Sequence, residues 1–337
     1  MSTKNTLNIK RIAELAGVSK ATVSRVLNDY PHIRPELRDR VMKVVRETGY
    51  ERNPVARMLT ANRSNMIGLI IPTDARYVFS DPYFPRLTVG ISRAANQHKL
   101  TLSLFLFHSK DDGVDTIRSV IANGMFDGFV VTGHRIDDQI LPLLIENRVR
   151  FVLVGRSVYN QDIHYIDVDN QAGGRMATEY LIERGYRHIA IITCDHNIAA
   201  IDRFEGYQQA LQAHGMAYDP SLVAYGDFSM DSGAQGMASL LPQRPDAVFV
   251  ASDMMALGAL RMLRERQIRV PEEIGIVGFD DFPPAVQADP QLTTIKQPTN
   301  QQGALAVETM LQIIENPERP SRQVALPVEL VVRASTR

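Results

Sequence analysis

Cys194 is the only cysteine among 337 residues, so no internal disulfide can form. Its place in the apolar run "IAIITC" reads as a small buried hydrophobe. No segment approaches the roughly 18 consecutive apolar residues of a membrane span, so no membrane contact is expected. The start, "MSTKNTLNIKRIAELAG", lacks the apolar core of a secretory signal, which points to a cytoplasmic chain. No GxGxxG or GxxxxGKS follows an apolar strand, which leaves a nucleotide-phosphate cradle without support. The histidines and the cysteine are scattered and show no metal-ligand spacing. No metal or cofactor is therefore expected. "FDD" holds two adjacent carboxylates, but neighbours in a loop seldom face one bond, and no catalytic residue is assigned. The expectation is a protein that is not an enzyme.

What is present is ordinary in amount and uneven in distribution. Hydrophobic residues make up 45% of the chain and charged ones 22%, as in a soluble globular protein of two or three domains. The formal net charge is −1, yet residues 1–65 hold thirteen Lys/Arg against six Asp/Glu, a balance of +7 that leaves −8 for the remainder. A basic head on an acidic body points to a polyanion partner for the head alone.

Three short amphipathic helices fit residues 1–50. Asn8 can cap the first, where Ile9, Ile12, Ala13 and Ala16 recur at helical spacing. Gly17-Val18 makes a tight turn, and Ser19 is suited to cap "SKATVSRVLN". Val23, Val26 and Leu27 form the buried stripe of this second helix. Its opposite face presents Lys20, Ala21, Ser24, Arg25 and Asn28, groups small or polar enough to enter a groove, with Arg25 able to grip guanine edges. A third helix, "PELRDRVMKVVRET", should bury Leu37, Val41, Val44 and Val45 before Gly49 stops it. Two helices joined by a three- or four-residue turn, the second with a basic polar face, describe a helix-turn-helix. The alternative is a solvated charged face on a small bundle.

From Met66 onward apolar strands alternate with amphipathic helices in two successive series: "MIGLIIP", "LTLSLFLF", "GFVVTG" and "FVLVG", then "HIAIIT", "LVAY", "AVFVA" and "IGIVGF". Such alternation predicts two doubly wound parallel-sheet subdomains. Ligands of these sheets sit beyond the strands' carboxyl ends. Those ends carry Thr73-Asp74, His108, Gly133-His134, Gly155-Arg156, Asp195, Ser252-Asp253 and Asp280-Asp281, with Tyr83 and Phe84 nearby. Carboxylates accept hydroxyls, arginine donates to ring oxygens and aromatics cover sugar faces, so a polyhydroxylated ligand is indicated. For each acidic residue the competing role is a helix N-cap, the larger one for Asp253.

The segments "IKRIAELAGVSKATVSRVLN", "RPELRDRVMKVVRETGYERNPVARMLTANRS" and "ELVVRAST" resemble the lactose/galactose repressor (LacI/GalR) family over essentially the whole chain. The resemblance implies a transcriptional regulator, in the first instance a repressor, acting at the nucleoid. Its small all-α head would be joined to a body like the periplasmic sugar-binding proteins. It implies a helix-turn-helix over 1–50 and a hinge over 51–65. The effector and dimerisation body would span 66–337, with subdomains of about 66–165 plus 297–322 and about 166–296 plus 323–337. In the head, Lys20, Ala21 and Arg25 match base-reading positions, and Ser19, Thr22, Asn28 and His32 match positions that mostly hold phosphates. "NPVARMLTANRS" matches a hinge helix that forms when two copies pack over the operator's centre, with Leu59 wedged into the minor groove. In the body, Arg203 of "DRFEGY" matches the central ligand contact and Asp280 of "GFDD" an acceptor of ligand hydroxyls. Ser252, Asp253, Tyr83 and Phe84 match pocket walls, and Phe228 a stacking aromatic. A salt bridge between the lobes is the alternative role for Arg203.

The expected partners are palindromic operator DNA, a second copy of the chain and a small effector. Because the tail "VVRASTR" carries no leucine heptads, a dimer is expected over a tetramer. "DPYF" with "VLVGR" resembles members answering to gluco- or malto-oligosaccharides, so the effector is expected to be a mono- or oligosaccharide. The purine-binding relative has a polar and basic pair where this chain has Asn197 and Ala199. The alternatives are a purine- or nucleoside-responsive regulator and a global regulator steered by a partner protein. Outside this class stand a sugar-binding protein and a carbohydrate enzyme.

Overall fold

The computed structural model describes residues 7–27, 30–50, 63–107, 110–132, 139–157 and 162–337. Asn28, the hinge segment with Leu59, His108 and Gly133-His134 lie outside the described residues. The chain divides into two compact units, Met1–Ser64 and Asn65–Arg337.

In the first unit, α1 (Ile9–Ala16), α2 (Lys20–Leu27) and α3 (Pro35–Thr48) follow the sequence periodicity. Asn8 Oδ1 accepts the Arg11 N–H at 3.0 Å and starts α1. Gly17 ends it at φ 61, a left-handed conformation that costs a Cβ-bearing residue. Ser19 Oγ accepts the Thr22 N–H at 3.0 Å and so caps α2. Ile12, Ala13, Ala16, Val23, Val26 and Val41 form the buried centre. Leu37, Val44 and Val45, expected to be buried, stay half-exposed, as does Leu27. Two eight-residue helices are too short to cover the fourteen residues of α3.

The second unit contains two six-stranded sheets, in strand orders β11-β5-β4-β3-β1-β2 and β12-β10-β9-β8-β6-β7. In the first lobe the strands are β1 (Met66–Asp74), β2 (Thr101–Phe107), β3 (Gly128–Thr132), β4 (Phe151–Val154), β5 (Tyr165–Val168) and β11 (Gln323–Leu326). In the second they are β6 (Ile189–Thr193), β7 (Val223–Tyr225), β8 (Ala247–Val250), β9 (Gly275–Asp280), β10 (Thr293–Lys296) and β12 (Glu329–Val331). All pairings are parallel except that of β12 with β10. The apolar run of β1 follows from burial on both faces: Ile67, Leu69 and Ile71 join one core and Ile70 the other. Around the first sheet lie α4 (Ala75–Ser80), α5 (Tyr83–Gln97), α6 (Lys110–Asn123), α7 (Ile140–Glu146) and α13 (Thr299–Glu315). Around the second lie α8 (Asn170–Glu183), α9 (Ile198–Ala213), α10 (Met230–Leu240), α11 (Asp253–Glu265) and α12 (Pro283–Gln287).

Three crossovers join the lobes: after β5, after β10 and after β11. The expected breaks at 165 and 322 are corrected. Tyr165–Val168 pairs with β4, and Gln323–Leu326 pairs with β5, so both strands belong to the first lobe. The strand-helix alternation did not show β5, β10, β11, β12, α4, α8, α12 or α13. These strands are four residues or fewer, with charged, amide or hydroxyl residues among the apolar ones, and α8 opens on "NQAGG".

Candidate functional site

The strands of both lobes point their carboxyl ends at one cleft. Arg203, Asp280, Tyr83, Phe84 and Phe228 all line it.

Arg203 comes from the second turn of α9, whose closeness to α8 depends on two glycines. A Cβ at Gly174 would collide with the Arg203 carbonyl, and one at Gly206 with the Gln171 carbonyl. The guanidinium is buried, with Nε donating to Asn170 Oδ1 at 2.9 Å and Nη1 to the Ala251 carbonyl at 2.6 Å. Nη1 lies 3.8 Å from Asp280 Oδ1, and the group sits 3.5 Å over the Phe279 ring. Burial pulls the Arg203 pKa down, and the carboxylates of Asp280 and Asp167 oppose it. Its direct contacts, Asn170, Ala251, Asp280 and Phe279, belong to the second lobe, and Asp167 of the first lobe acts on it only at longer range. The ion pair of Arg203 therefore does not bridge the lobes.

Asp280 ends β9 at φ 125, a strained conformation for a residue with a Cβ. Gln297 Nε2 donates to its Oδ1 at 2.6 Å. Burial pushes its pKa well above the carboxylate range, with Arg203 opposing. Tyr83 donates its hydroxyl to Gln302 Oε1 at 3.3 Å, and its ring meets Phe84 edge-on at 5.3 Å. Phe228 is held at φ 70 on the cleft wall.

Ser252 and Asp253, expected on the wall, stand behind it. Ser252 Oγ accepts the Met255 N–H at 3.2 Å and caps α11. Asp253 is fully buried and accepts Thr294 Oγ1 at 2.6 Å and the Phe282 N–H at 3.0 Å. Its carboxylate ties α11 to β10 and to the turn after Asp280, while burial pushes its pKa up to about 7. Asp74 caps α4, and Asp195 pairs with His196 in an exposed position.

Several wall residues carried no local signal. Asp81 accepts the Tyr83 N–H at 2.9 Å and the Tyr77 hydroxyl at 3.2 Å, with its pKa raised by burial. Asp167 accepts from the Val168 N–H, the Arg156 N–H and Asn170 Nδ2 at 2.8, 2.9 and 3.2 Å. Burial pushes its pKa up to about 6. Gln297 and Gln302, on either side of the α13 start, complete the polar wall. Their positions depend on crossovers, which no spacing rule encodes. The cleft thus combines four aromatic rings, carboxylates already holding protein donors, and two arginines, of which Arg203 is held by its own lobe.

In the head, Ser19, Lys20, Ala21, Arg25 and His32 are exposed, while Thr22 and Ser24 are half-buried. The Ser19 and Thr22 hydroxyls share a hydrogen bond of 2.9 Å. Lys20, Ala21, Ser24 and Arg25 therefore lie off the buried stripe of Val23 and Val26, on the face left free for a groove.

A helix-turn-helix head with a two-lobed, ligand-cleft body defines a class of regulators built from a DNA-binding domain and a binding-protein domain. Residues 8–53 match the model for bacterial regulatory proteins of the lacI family, and residues 178–336 the periplasmic binding protein-like domain. The chain is 36% identical to the HTH-type transcriptional regulator CelR of Thermobifida fusca, over 97% of each. It superposes with TM-score 0.78 and 34% identity on a structure of a CelR–cellobiose complex, covering 98% of this chain and 99% of that one. The Lac repressor dimer bound to operator and an anti-inducer gives TM-score 0.84 at 28% identity, again covering 98% and 99%. The chain belongs to the LacI family of bacterial transcriptional regulators.

Proposed function

We propose that this regulator binds a palindromic operator as a homodimer and that a neutral saccharide in the cleft controls its operator affinity. The observation that carries the effector half is the cleft itself. Tyr77, Tyr83, Phe84 and Phe228 offer ring faces, and Asp81, Asp167 and Asp280 offer hydroxyl acceptors. The relative solved with cellobiose supports the same ligand class. Asn197 spends its carboxamide oxygen capping α9, and Ala199 is apolar, which leaves this stretch poor in partners for a nucleobase edge. The carboxylates of the cleft already hold Tyr77, Asn170 and Gln297, a set suited to binding rather than to turnover.

Ser19 and Thr22 at the start of α2, with Asn28 and His32, would hold phosphates while Lys20, Ala21, Ser24 and Arg25 face base edges. Two heads would read two half-sites, and Leu59 of each hinge would enter the minor groove between them. Ligand contacts from Tyr83 on one lobe and from Arg203 and Asp280 on the other would change the angle between lobes, and with it the spacing of the heads. These events belong in the cytoplasm, at the nucleoid.

Two measurements test the two halves. Operator affinity should fall with salt at a logarithmic slope of about −0.9 per phosphate neutralised, and a flat response refutes the DNA half. A thermal-shift screen of glucose, maltose, cellobiose and purines should show a rise with saccharides; a rise with purines alone refutes the effector half. Leu59→Ser should weaken operator binding while effector affinity stays unchanged, and unchanged operator binding removes the wedge.

A further inference from the structure

The ligand cleft has a neighbour. A second cavity shares Arg156, Asp167, Val168 and Asn170 with the first. Arg156, just beyond β4 of the first lobe, faces both cavities. Its Nε donates to Asp202 Oδ2 at 2.6 Å, and its Nη2 to the other oxygen of the same carboxylate. Asp202 belongs to α9 of the second lobe, one residue before Arg203. The two lobes are therefore joined at the boundary between cavities by one bidentate ion pair, with the arginine side chain 37% exposed and the aspartate 10%.

A wall of backbone is fixed, whereas this wall is a side chain that can turn away, at the cost of breaking a bidentate pair and leaving the buried Asp202 carboxylate without its cation. Beyond Arg156 the second cavity offers the Tyr165 ring and the polar groups of Asp169, Gln171 and Glu205. The guanidinium is already committed to Asp202, and carboxylates predominate around it, so an anionic group is repelled there while neutral hydroxyls find acceptors.

We infer that Arg156 determines ligand length: paired with Asp202 it closes one end of the cleft, and further units of a neutral saccharide enter the second cavity only when that pair opens. This inference rests on the saccharide reading above. It makes Arg156 and Asp202 specificity-determining residues outside the central set of Arg203 and Asp280.

Calorimetric titration of the full-length protein with glucose, cellobiose and cellotriose tests it. In Arg156→Ala the affinity ratio of cellotriose to cellobiose should rise about tenfold over wild type, equivalent to ~1.4 kcal/mol. Asp202→Asn, which keeps the shape and removes the ionic partner, should shift the ratio the same way. Adding Tyr165→Ala to Arg156→Ala should reverse the gain. Saccharide binding with an unchanged ratio in both single variants, or an equal change for all three sugars, overturns the inference and leaves the effector reading standing. Failure of folded wild type to bind any of the three, or any saccharide of the thermal-shift screen, overturns both.

Discussion

Three buried carboxylates show how environment assigns separate tasks to one residue type. Asp280 meets the cleft from a strained backbone, Asp167 holds three protein donors at its wall, and Asp253 is a staple behind it. The Asp167 pKa, pushed up to about 6 from an ordinary 3.8, has a consequence for stability. The folded protein holds this proton more tightly than the unfolded chain does. Its contribution therefore favours the fold below about pH 4 and is lost as pH rises through about 6. A rise of about two pH units at ~1.36 kcal/mol each makes ~3 kcal/mol the ceiling. Urea unfolding of Asp167→Asn should accordingly show a flatter stability profile between pH 4 and 7 than wild type; parallel profiles contradict the assignment. In the head, Arg25→Ala should cost about 1–3 kcal/mol of operator affinity and relax base preference at one position, as read by binding to a mutated half-site series. A loss that is uniform across sequences would make Arg25 a phosphate contact instead.

At the scale of elements, the site depends on how α8 and α9 approach each other. Gly174 and Gly206 let the two helix backbones come close, and that closeness brings Asn170 to the Arg203 guanidinium. Gly174→Ala must push α9 away from α8, because the atom it meets is backbone and not a movable side chain. Overpacking of this kind costs typically ~1–3 kcal/mol, so the melting temperature should fall and saccharide affinity should fall with it. Lower stability with unaltered ligand affinity would show that the α8–α9 distance does not position Arg203. The long strands and amphipathic helices of each lobe were legible in the sequence because their periodicity is local. The crossover elements were not. "YIDV", "TTIK" and "QVAL" are short, and only their pairing with β4, β9 and β5 makes them strands.

Over the whole molecule, the proposed function couples the effector and the operator through the lobes. Any factor by which a saccharide changes operator affinity must equal the factor by which operator changes saccharide affinity. Titrating cellobiose with and without a saturating operator duplex should return the factor measured by the reverse experiment. Unequal factors would mean that the two ligands do not act on one equilibrium. No helix among the described residues is long and apolar enough to cross a membrane.

The sequence by itself determined the helix-turn-helix, the alternation of strands and helices, and five of the seven expected cleft residues. Caps, turns and apolar periods are set within a few residues of one another, and a motif such as "DRFEGY" carries its arginine wherever the chain goes. Only the tertiary structure decided that Ser252 and Asp253 stand behind the wall, that Asp81, Asp167, Gln297 and Gln302 join it, and that Arg156 meets Asp202. Gln297, Gln302 and the Arg156–Asp202 pair depend on crossovers that bring distant segments to one cleft, while Ser252 and Asp253 are turned away by a cap on α11 and by contacts with β10 and the turn after Asp280 in their own lobe.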